Sequence, residues 1–279
     1  MIEQGYRRLS GLLHQSVKAA LQAGAAIMNI YCSESLRIER KEDDSPLTNA
    51  DEAAHRIISK ALNTGGIPVL SEEGSKLSYD RRKNWKELWL VDPLDGTREF
   101  LEENGEFTVN IALIDNNLPV IGVVFAPALE TMFFSSSLLG SFRVNIPGTA
   151  GFEDMDMDKI LAEATHLPCR VRAGRNINMV VSRSHLNDDT KAYIELMKNT
   201  SGNIKIVSRG SALKFCMVAE GEADIYPRFG PTFEWDTAAG HAVAAYAGCQ
   251  VIRYPSGDSL QYNKPDLLNP WFIVKRGNL

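Results

Sequence analysis

The sequence predicts an α/β protein in which an α+β N-terminal half is followed by an α/β C-terminal half. Two stretches with apolar residues at helical spacing open the chain, and β-type runs separated by turn residues follow them. Farther along, strands alternate with helices, which is typical of a sheet covered by helices. We therefore predict an N-terminal domain over residues 1–150 and a C-terminal domain over residues 151–279.

In the first half, the apolar periodicity predicts an amphipathic helix from Leu9 and a second helix that starts at Asn49. The polar segment 41–46 between them is predicted to be a loop or a hairpin. Gly65 and Gly66 end the second helix, and the short apolar strand IPVL follows. The later runs LWLV, FTVNIALID, PVIGVVFAP and LETMFFSS predict a mostly antiparallel sheet.

In the second half, we predict strands at NMVVS, IKIVS, ADIYP and CQVIRY. Helices are predicted after Leu186, from Ser211 and from Asp236. The stretch 147–177 between the halves has an irregular pattern that is first acidic and Met-rich and then Arg-rich.

Composition argues against several classes of protein. The net charge of −5 disfavours a binder of nucleic-acid polymers or of anionic membranes. The four cysteines include no CxxC pair and the five histidines are dispersed, so neither a disulfide framework nor a zinc site is expected. Polar residues such as His14 and Lys18 interrupt the apolar N-terminal stretch, so we expect no signal peptide and no transmembrane segment.

Carboxylates follow the apolar run LWLV at the point where this strand should end. Asp92 comes directly after the run, and Asp95 follows three residues later. The two acids could share a hard cation, with the carbonyl of Leu94 as a further oxygen ligand. The backbone amides of Gly96 and Thr97 would face the same space, where the start of a helix favours an anion. The alternative is an ordinary β-turn followed by a threonine N-cap.

Other acids stand at the ends of predicted elements. Glu72 and Glu73 follow a strand, while Asp51 and Asp236 each lie at a helix start. Taken singly, these acids could be a solvated pair, a helix-dipole acid and an N-cap. Taken together with the acids after LWLV, they predict a metal site with several carboxylate ligands. Ligation by oxygen alone indicates Mg²⁺, with Mn²⁺ as the alternative ion.

Three strings carry a resemblance to a known family. LSEEG, WLVDPLDGTREF and EWDTAAGHAVAAYAG resemble the signature segments of the inositol monophosphatase superfamily. The longer strings DPLDGTREFLEENGEFTVNIALID, SRGSALKFC, ADIYPRFGPTFEWDTAAGHA and LLNPWFIV resemble, within it, the bacterial 3′(2′),5′-bisphosphate nucleotidases. The resemblance implies a layered αβαβα sandwich. The irregular stretch 147–177 and the turn SSLLGSF depart from the expected pattern without touching the implied ligands.

The resemblance implies a site with two or three Mg²⁺ ions. Glu72, Asp92, Asp95 and the Leu94 carbonyl would bind the first ion. Asp92, Asp95 and Asp236 would bind the second. Of these residues, Glu72, Leu94, Asp95 and Asp236 would also line the substrate site.

The resemblance also implies roles in catalysis. Asp51 and Thr97, together with Glu72, are the implied catalytic residues, and a third ion is an option beside them. Asp51 would accept or orient the proton of the attacking water through Thr97. The amides of Gly96 and Thr97 would bind the scissile phosphate, and no covalent intermediate is expected.

The implied reaction is hydrolysis of a phosphomonoester by metal-activated water. The substrate would be 3′-phosphoadenosine 5′-phosphate, and the products would be AMP and phosphate. An inositol monophosphatase or a broader sugar-phosphate phosphatase is the alternative. A second alternative is a non-catalytic interaction protein on the same fold, although each implied ligand is present.

Candidate substrate residues come from the second half: Ser184, His185, Ser211, Lys214 and Arg228. The two cations could pair with a second phosphate. The alternatives are ordinary structural roles, such as a helix cap or a solvated helix residue.

Four further residues are interpreted structurally. Phe233 and Trp235 are expected in the core or in the wall of the site rather than as platforms on which a base stacks. Thr108 and Asn110 are interpreted as strand positions.

The resemblance finally implies inhibition by Li⁺ and a cytoplasmic protein, with the inner membrane face as an alternative location. A monomer and a homodimer are both compatible with the sequence.

Overall fold

The computed structural model describes residues 2–33, 37–40, 46–148, 155–170, 176–184 and 186–277. Its helices are α1 Ile2–Tyr31, α2 Asn49–Leu62, α3 Tyr79–Arg82, α4 Thr97–Leu101, α5 Met157–Glu163, α6 Asp188–Ser201, α7 Leu213–Glu220 and α8 Glu234–Tyr246. Its strands are β1 Ile38–Arg40, β2 Pro46–Thr48, β3 Val69–Ser71, β4 Glu87–Asp95, β5 Thr108–Asp115, β6 Leu118–Ala126, β7 Thr131–Ser136, β8 Gly140–Asn145, β9 Thr165–His166, β10 Ile177–Ser182, β11 Ile204–Arg209, β12 Ile225–Arg228, β13 Cys249–Arg253 and β14 Phe272–Arg276.

The strands form two large sheets and a small hairpin. The first sheet has seven strands in the order β3-β4-β5-β6-β7-β8-β9 and is antiparallel except for the parallel pair β3 and β4. The second has five strands in the order β11-β10-β12-β14-β13, with β10 parallel to both of its neighbours. Strands β1 and β2 pair by themselves.

The side chains of β4 show how the first sheet is covered on both faces. Trp89 and Val91 point into the core shared with α1 and α2, whereas Leu88 and Leu90 point into the core shared with α7 and α8. This alternation follows from the two-residue period of a strand. Because both faces are buried, β4 reads as a continuous apolar run.

The cores define five layers. Helices α7 and α8 lie between the two sheets, since residues of both sheets pack into their core. On its other face the second sheet packs against α6 through Ile194. The order of layers is therefore α1 and α2, first sheet, α7 and α8, second sheet, and α6, which confirms the αβαβα sandwich.

Strand direction brings the first two acidic segments together. β3 and β4 are parallel, with Ser71 paired to Val91. Their carboxyl ends therefore meet at one edge, and the N–H of Glu72 donates to the carbonyl of Val91 at 3.0 Å. The register of β4 against β5 then shifts between Asp92 and Asp95. Such a bulge re-aims the side chains beside it.

Helix α2 begins at Asn49, as predicted, with Thr48 as its N-cap, and Asp51 completes a capping box. Two other helix starts differ from the prediction. Helix α8 begins at Glu234, two residues before Asp236. Helix α7 begins at Leu213, and Ser211 precedes its N-cap. In both cases the difference is one or two residues, the usual uncertainty of a helix boundary.

Part of the stretch between the halves joins the first sheet and its core. Strand β9 pairs with β8, and Met157 and Ile160 of α5 pack into the core of the first sheet. Residues 149–154 and 171–175 lie outside the described part of the chain. The division into domains at residue 150 stays a prediction. None of the described helices combines the length and the apolarity needed to cross a membrane.

Two glycines of α1 allow a matched test of this packing. A Cβ at buried Gly24 would collide with the Phe125 ring, which is 1% exposed, whereas a Cβ at exposed Gly11 would meet nothing within 4 Å. We expect Gly24→Ala to lower the free energy of unfolding by about 1–3 kcal/mol. Gly11→Ala should raise it by about 0.5–1 kcal/mol. Urea denaturation measures both, and shifts of the same sign would contradict the packing of α1 on the sheet.

Candidate active site and metal centre

A cleft of about 510 Å³ contains most of the predicted site residues. It lies where the ends of β3 and β4 meet α4, the segment before α7, and the start of α8. It is lined by Glu72, Asp92, Leu94, Asp95, Gly96, Thr97, Arg98, Glu99, Ser182, Ser211, Lys214, Phe215, Tyr226, Arg228, Pro231, Thr232, Phe233, Asp236 and Thr237.

Three acids of the cleft form a compact cluster. Glu72, Asp92 and Asp236 each offer one carboxylate oxygen, and these oxygens lie within 4.8 Å of one another. They come from the end of β3, from β4 and from the first turn of α8. Such a set of oxygen donors suits Mg²⁺ or Mn²⁺ and does not suit zinc.

Asp95 lines the same cleft but is held by the surrounding protein. Its Oδ2 accepts hydrogen bonds from the N–H of Ala212 at 2.7 Å and from Asn110 Nδ2 at 3.2 Å. Burial raises the pKa of Asp95 to about 6, an effect that Lys214 opposes and Glu99 reinforces. Asn110 is thus a strand residue, as predicted, that also orients a site acid.

Asp236 combines helix capping with the acidic cluster. Its Oδ2 accepts the backbone N–H of Phe233 at 2.9 Å at the start of α8. Burial, followed by the charges of Asp95 and Glu72, raises its pKa well above the usual value. Asp236 holds its proton because burial and the neighbouring carboxylates both disfavour its charged form. A divalent cation would relieve this crowding, so the donor set fits the predicted metal.

Thr97 lines the cleft, and Asp51 lies behind it, within reach of the Thr97 hydroxyl. Asp51 is 2% exposed, and its Oδ2 accepts from the N–H and the hydroxyl of Thr48 at 2.8 and 2.5 Å. Thr97 Oγ1 lies 3.5 Å from Asp51 Oδ1 and 3.4 Å from the carbonyl oxygen of Leu94. Gly96, which precedes α4, has a φ of +89°, which glycine adopts readily.

Two buried cations line the part of the cleft formed by the second half. Lys214 is 5% exposed, and its Nζ donates to the carbonyl of Ser211. Burial lowers the pKa of Lys214 to about 8, although Asp95 acts in the opposite direction. Arg228 is 7% exposed, and its Nη2 donates to the carbonyl of Pro231 at 2.8 Å. Lys214 is therefore not the solvated helix residue that its position in the sequence allowed.

The remaining candidate substrate residues are placed differently. Ser211 lines the cleft, and its hydroxyl donates to the carbonyl of Glu106 at 2.9 Å. Ser184 donates to Glu99 Oε1 at 2.5 Å and is not among the residues that line the cleft. His185 lies outside the described residues.

Several lining residues were missed by the sequence analysis. Glu99 follows the DPLDGT string, Ser182 ends a strand, and Tyr226 belongs to ADIYP. These positions next to strand ends and motifs could have indicated that the three residues line the cleft. Phe233 forms part of the wall, as expected, yet it is 40% exposed. Its ring stacks on that of Trp235, with centroids 5.2 Å apart and planes 17° apart.

Comparison with known proteins identifies the family. The model of the inositol monophosphatase family matches residues 9–276. The chain belongs to the inositol monophosphatase family. The prediction of a phosphatase of this family is thereby confirmed, because its curated relatives are named as bisphosphate nucleotidases.

Several known proteins are similar to this chain in sequence or in structure. The chain is 44% identical over 267 residues to the 3′(2′),5′-bisphosphate nucleotidase CysQ of Salmonella typhimurium, covering 94% of this chain and 99% of that protein. The CysQ of Escherichia coli K12 is 43% identical over the same length. The crystal structure of CysQ from Bacteroides thetaiotaomicron superposes with a TM-score of 0.88 at 45% identity, covering 96% and 97% of the two chains. An inositol monophosphatase from Anabaena shares the fold, with a TM-score of 0.70 at 22% identity over 97% of this chain and 92% of that one.

The crowding of acids predicts that Asp236→Asn stabilises the metal-free protein. The folded protein binds the proton of Asp236 more tightly than the unfolded chain, so ionisation as the pH rises lowers stability. In EDTA the variant should therefore melt above the wild type at pH 7.5, and the difference should shrink at pH 5. Asparagine can still accept the Phe233 N–H, so α8 keeps its start.

Added Mg²⁺ should reverse this order, because only the wild type keeps the full donor set. Differential scanning fluorimetry measures each melting temperature, and Asp258→Asn, an exposed acid outside the cleft, is the control. A variant that melts below the wild type in EDTA at pH 7.5 would show that crowding at Asp236 does not destabilise the fold.

Proposed function

We propose that the chain is a Mg²⁺-dependent phosphatase that removes the 3′-phosphate of 3′-phosphoadenosine 5′-phosphate, giving AMP and phosphate. The observation that carries the proposal is the cluster of Glu72, Asp92 and Asp236 in a cleft that Lys214 and Arg228 also line. Acids that can hold cations and side chains that can hold an anion therefore share one site.

The proposed ligands of two or three Mg²⁺ ions, with Mn²⁺ as the alternative, are Glu72, Asp92, Asp95, Asp236 and the Leu94 carbonyl. When bound, the ions would lower the pKa of water and offset the charge of the phosphoryl oxygens. These acids come from both halves of the chain, so the cleft between the halves is complete only when they are packed together.

The chain's own residues would orient the attacking water and hold the phosphate. Asp51 is buried, and when ionised its carboxylate only accepts hydrogen bonds. It can therefore accept the hydrogen bond that the Thr97 hydroxyl donates. Thr97 would in turn accept a hydrogen bond from the water, which makes Asp51 the general base acting through Thr97. The amides of Gly96 and Thr97 remain the proposed donors to the scissile phosphate.

A second phosphate on the substrate accounts for the two buried cations. Lys214 and Arg228 are at least nine-tenths buried and line the cleft. Burying a cation is costly unless an anion compensates it. A bisphosphate supplies one phosphate for the metal cluster and one for this cationic wall, whereas inositol 1-phosphate carries only one. This difference favours a bisphosphate over a simple sugar phosphate.

An aromatic wall favours a nucleotide. Phe233 lines the cleft, is 40% exposed and is backed by Trp235 on one face. A purine could stack on it in the way that bases stack on exposed aromatic rings. The names of the relatives point to the same class of substrate.

We further propose a cytoplasmic enzyme, a monomer or a homodimer, with metal ligands mostly from residues 1–150 and substrate contacts mostly from residues 151–279.

The direct test is phosphate release with Mg²⁺ from 3′-phosphoadenosine 5′-phosphate, inositol 1-phosphate and fructose 1,6-bisphosphate. We expect the highest kcat/KM with the first substrate. Asp92→Asn removes one ligand of the cluster and should lose almost all turnover while its circular dichroism spectrum stays that of a folded protein. Preference for inositol 1-phosphate would favour the alternative enzyme, and no turnover with any substrate would favour a non-catalytic protein.

Phe233→Ala tests whether the cleft recognises a base. Loss of one stacking surface should raise KM for 3′-phosphoadenosine 5′-phosphate about ten-fold with little change in kcat. KM for fructose 1,6-bisphosphate, which has no aromatic ring, should not change. Phe233→Tyr keeps the ring and serves as the control. An equal rise of KM for both substrates would mean that Phe233 shapes the cleft without contacting a base.

A further inference from the structure

Glu106 is a buried acid outside the metal cluster that joins the two halves of the chain. It is 5% exposed and lies between α4 and β5. Its carboxylate accepts a bidentate pair of hydrogen bonds from Arg183, from Nε at 3.0 Å and from Nη2 at 2.8 Å. Arg209 Nη1 donates to Glu106 Oε1 at 3.0 Å. Paired geometry of this kind is among the strongest that a carboxylate makes.

The same residue holds the backbone of segment 210–212. The N–H of Gly210 donates to Glu106 Oε2 at 2.7 Å, and the Ser211 hydroxyl donates to the Glu106 carbonyl at 2.9 Å. The two segments approach so closely that a Cβ at Gly210 would lie 2.8 Å from that carbonyl oxygen. Ser211 has a φ of +40°, an unfavourable conformation for a residue with a side chain. The contacts of Glu106 therefore keep this strained segment in place.

Segment 210–212 in turn touches the site. The N–H of Ala212 donates to Asp95 Oδ2 at 2.7 Å. The carbonyl of Ser211 accepts from Lys214 Nζ, and both of these residues line the cleft. A shift of the segment would thus move the partner of one proposed metal ligand and the partner of one cleft cation together.

The Glu106 carboxylate is ionised at neutral pH. Burial alone would raise its pKa, but the hydrogen bonds from Arg183, Gly210 and Arg209 outweigh burial and lower the pKa below its usual value. The negative charge is therefore available to both arginines, and replacement of one oxygen by an amide would turn an acceptor into a donor.

We propose that Glu106 is a positioning residue. By binding Arg183, Arg209 and Gly210, it holds segment 210–212 in the place where Ala212 orients Asp95 and Ser211 lines the cleft. The inference rests on the proposed function, since it takes Asp95 as a metal ligand. Glu106 lines neither the cleft nor the acidic cluster, so it acts through the segment and not on the substrate.

Glu106→Gln tests this role against Glu102→Gln, which makes the same charge change at an exposed position of the same loop. Removal of a residue that orients a metal ligand costs about ten- to a hundred-fold in metal affinity or activity. We expect Glu106→Gln to lower kcat and to weaken Mn²⁺ binding, measured by electron paramagnetic resonance without substrate, each by about ten-fold. KM should change less than kcat, and Glu102→Gln should match the wild type.

A second variant keeps the test independent of folding. Arg183→Gln removes the bidentate pair from a side chain that is 44% exposed, so it leaves no buried cavity. It should shift kcat and Mn²⁺ affinity in the same direction, and Arg183→Lys, which retains the charge, should shift them less. A folded Glu106→Gln or Arg183→Gln protein with a lower melting temperature but unchanged kcat and Mn²⁺ affinity would overturn the positioning role. A wild-type protein that neither binds Mn²⁺ nor releases phosphate would instead contradict the proposed function.

Discussion

Repulsion between carboxylates is the constraint around which the cleft is built. Glu72, Asp92 and Asp236 have oxygens within 4.8 Å of one another, and two ionised groups at such a separation repel by about 3 kcal/mol at an effective dielectric constant of about 20. The cluster persists because each acid belongs to an element that is buried elsewhere: β3 and β4 lie between two cores, and α8 lies between the sheets. The layered packing thus fixes the acids where they would otherwise separate.

Local hydrogen bonds then fix how the acids point. Asp51 and Asp236 both stand at the third position of a helix, and each accepts the N–H of its capping residue. Asp92 Oδ1 accepts the N–H of Leu94 at 3.1 Å. The sequence left two interpretations open, a structural acid at a helix start or a site acid, and Asp236 both caps α8 and belongs to the acidic cluster of the cleft. A carboxylate that caps a helix with one oxygen still presents the other, so its orientation is set before any cation arrives.

The sequence could predict the features that depend on local patterns but not those that depend on partners far away in the chain. Strand β4 and helix α8 were predictable because long apolar patterns have a clear period, and the acids at their ends followed from the strings DPLDG and EWDT. The roles of Glu106 and Glu99 were not, since their partners lie 77 to 105 residues away in the chain. Strand β14 joins the second sheet between β12 and β13, a pairing that no local pattern announces. The start of α2 at Asn49 was predicted correctly, whereas its N-cap Thr48 was not singled out, because Thr48 and Asn49 are both good capping residues.

The division of charge between the two halves gives the cleft its polarity. The first half supplies Glu72, Asp92 and Asp95, and the second supplies Lys214 and Arg228 together with Asp236. An acidic cluster without its ions would repel a phosphate, whereas the cationic wall alone would attract any anion. The proposed bisphosphate substrate would bring one phosphate to each. Since Lys214 is tied to Ser211, and Ser211 to Glu106, the cation is fixed relative to the acids by contacts that cross between the halves. The distance between the cationic wall and the acidic cluster is therefore set by the packing of the halves, so the selectivity of the proposed site would depend on the fold as much as on the lining residues.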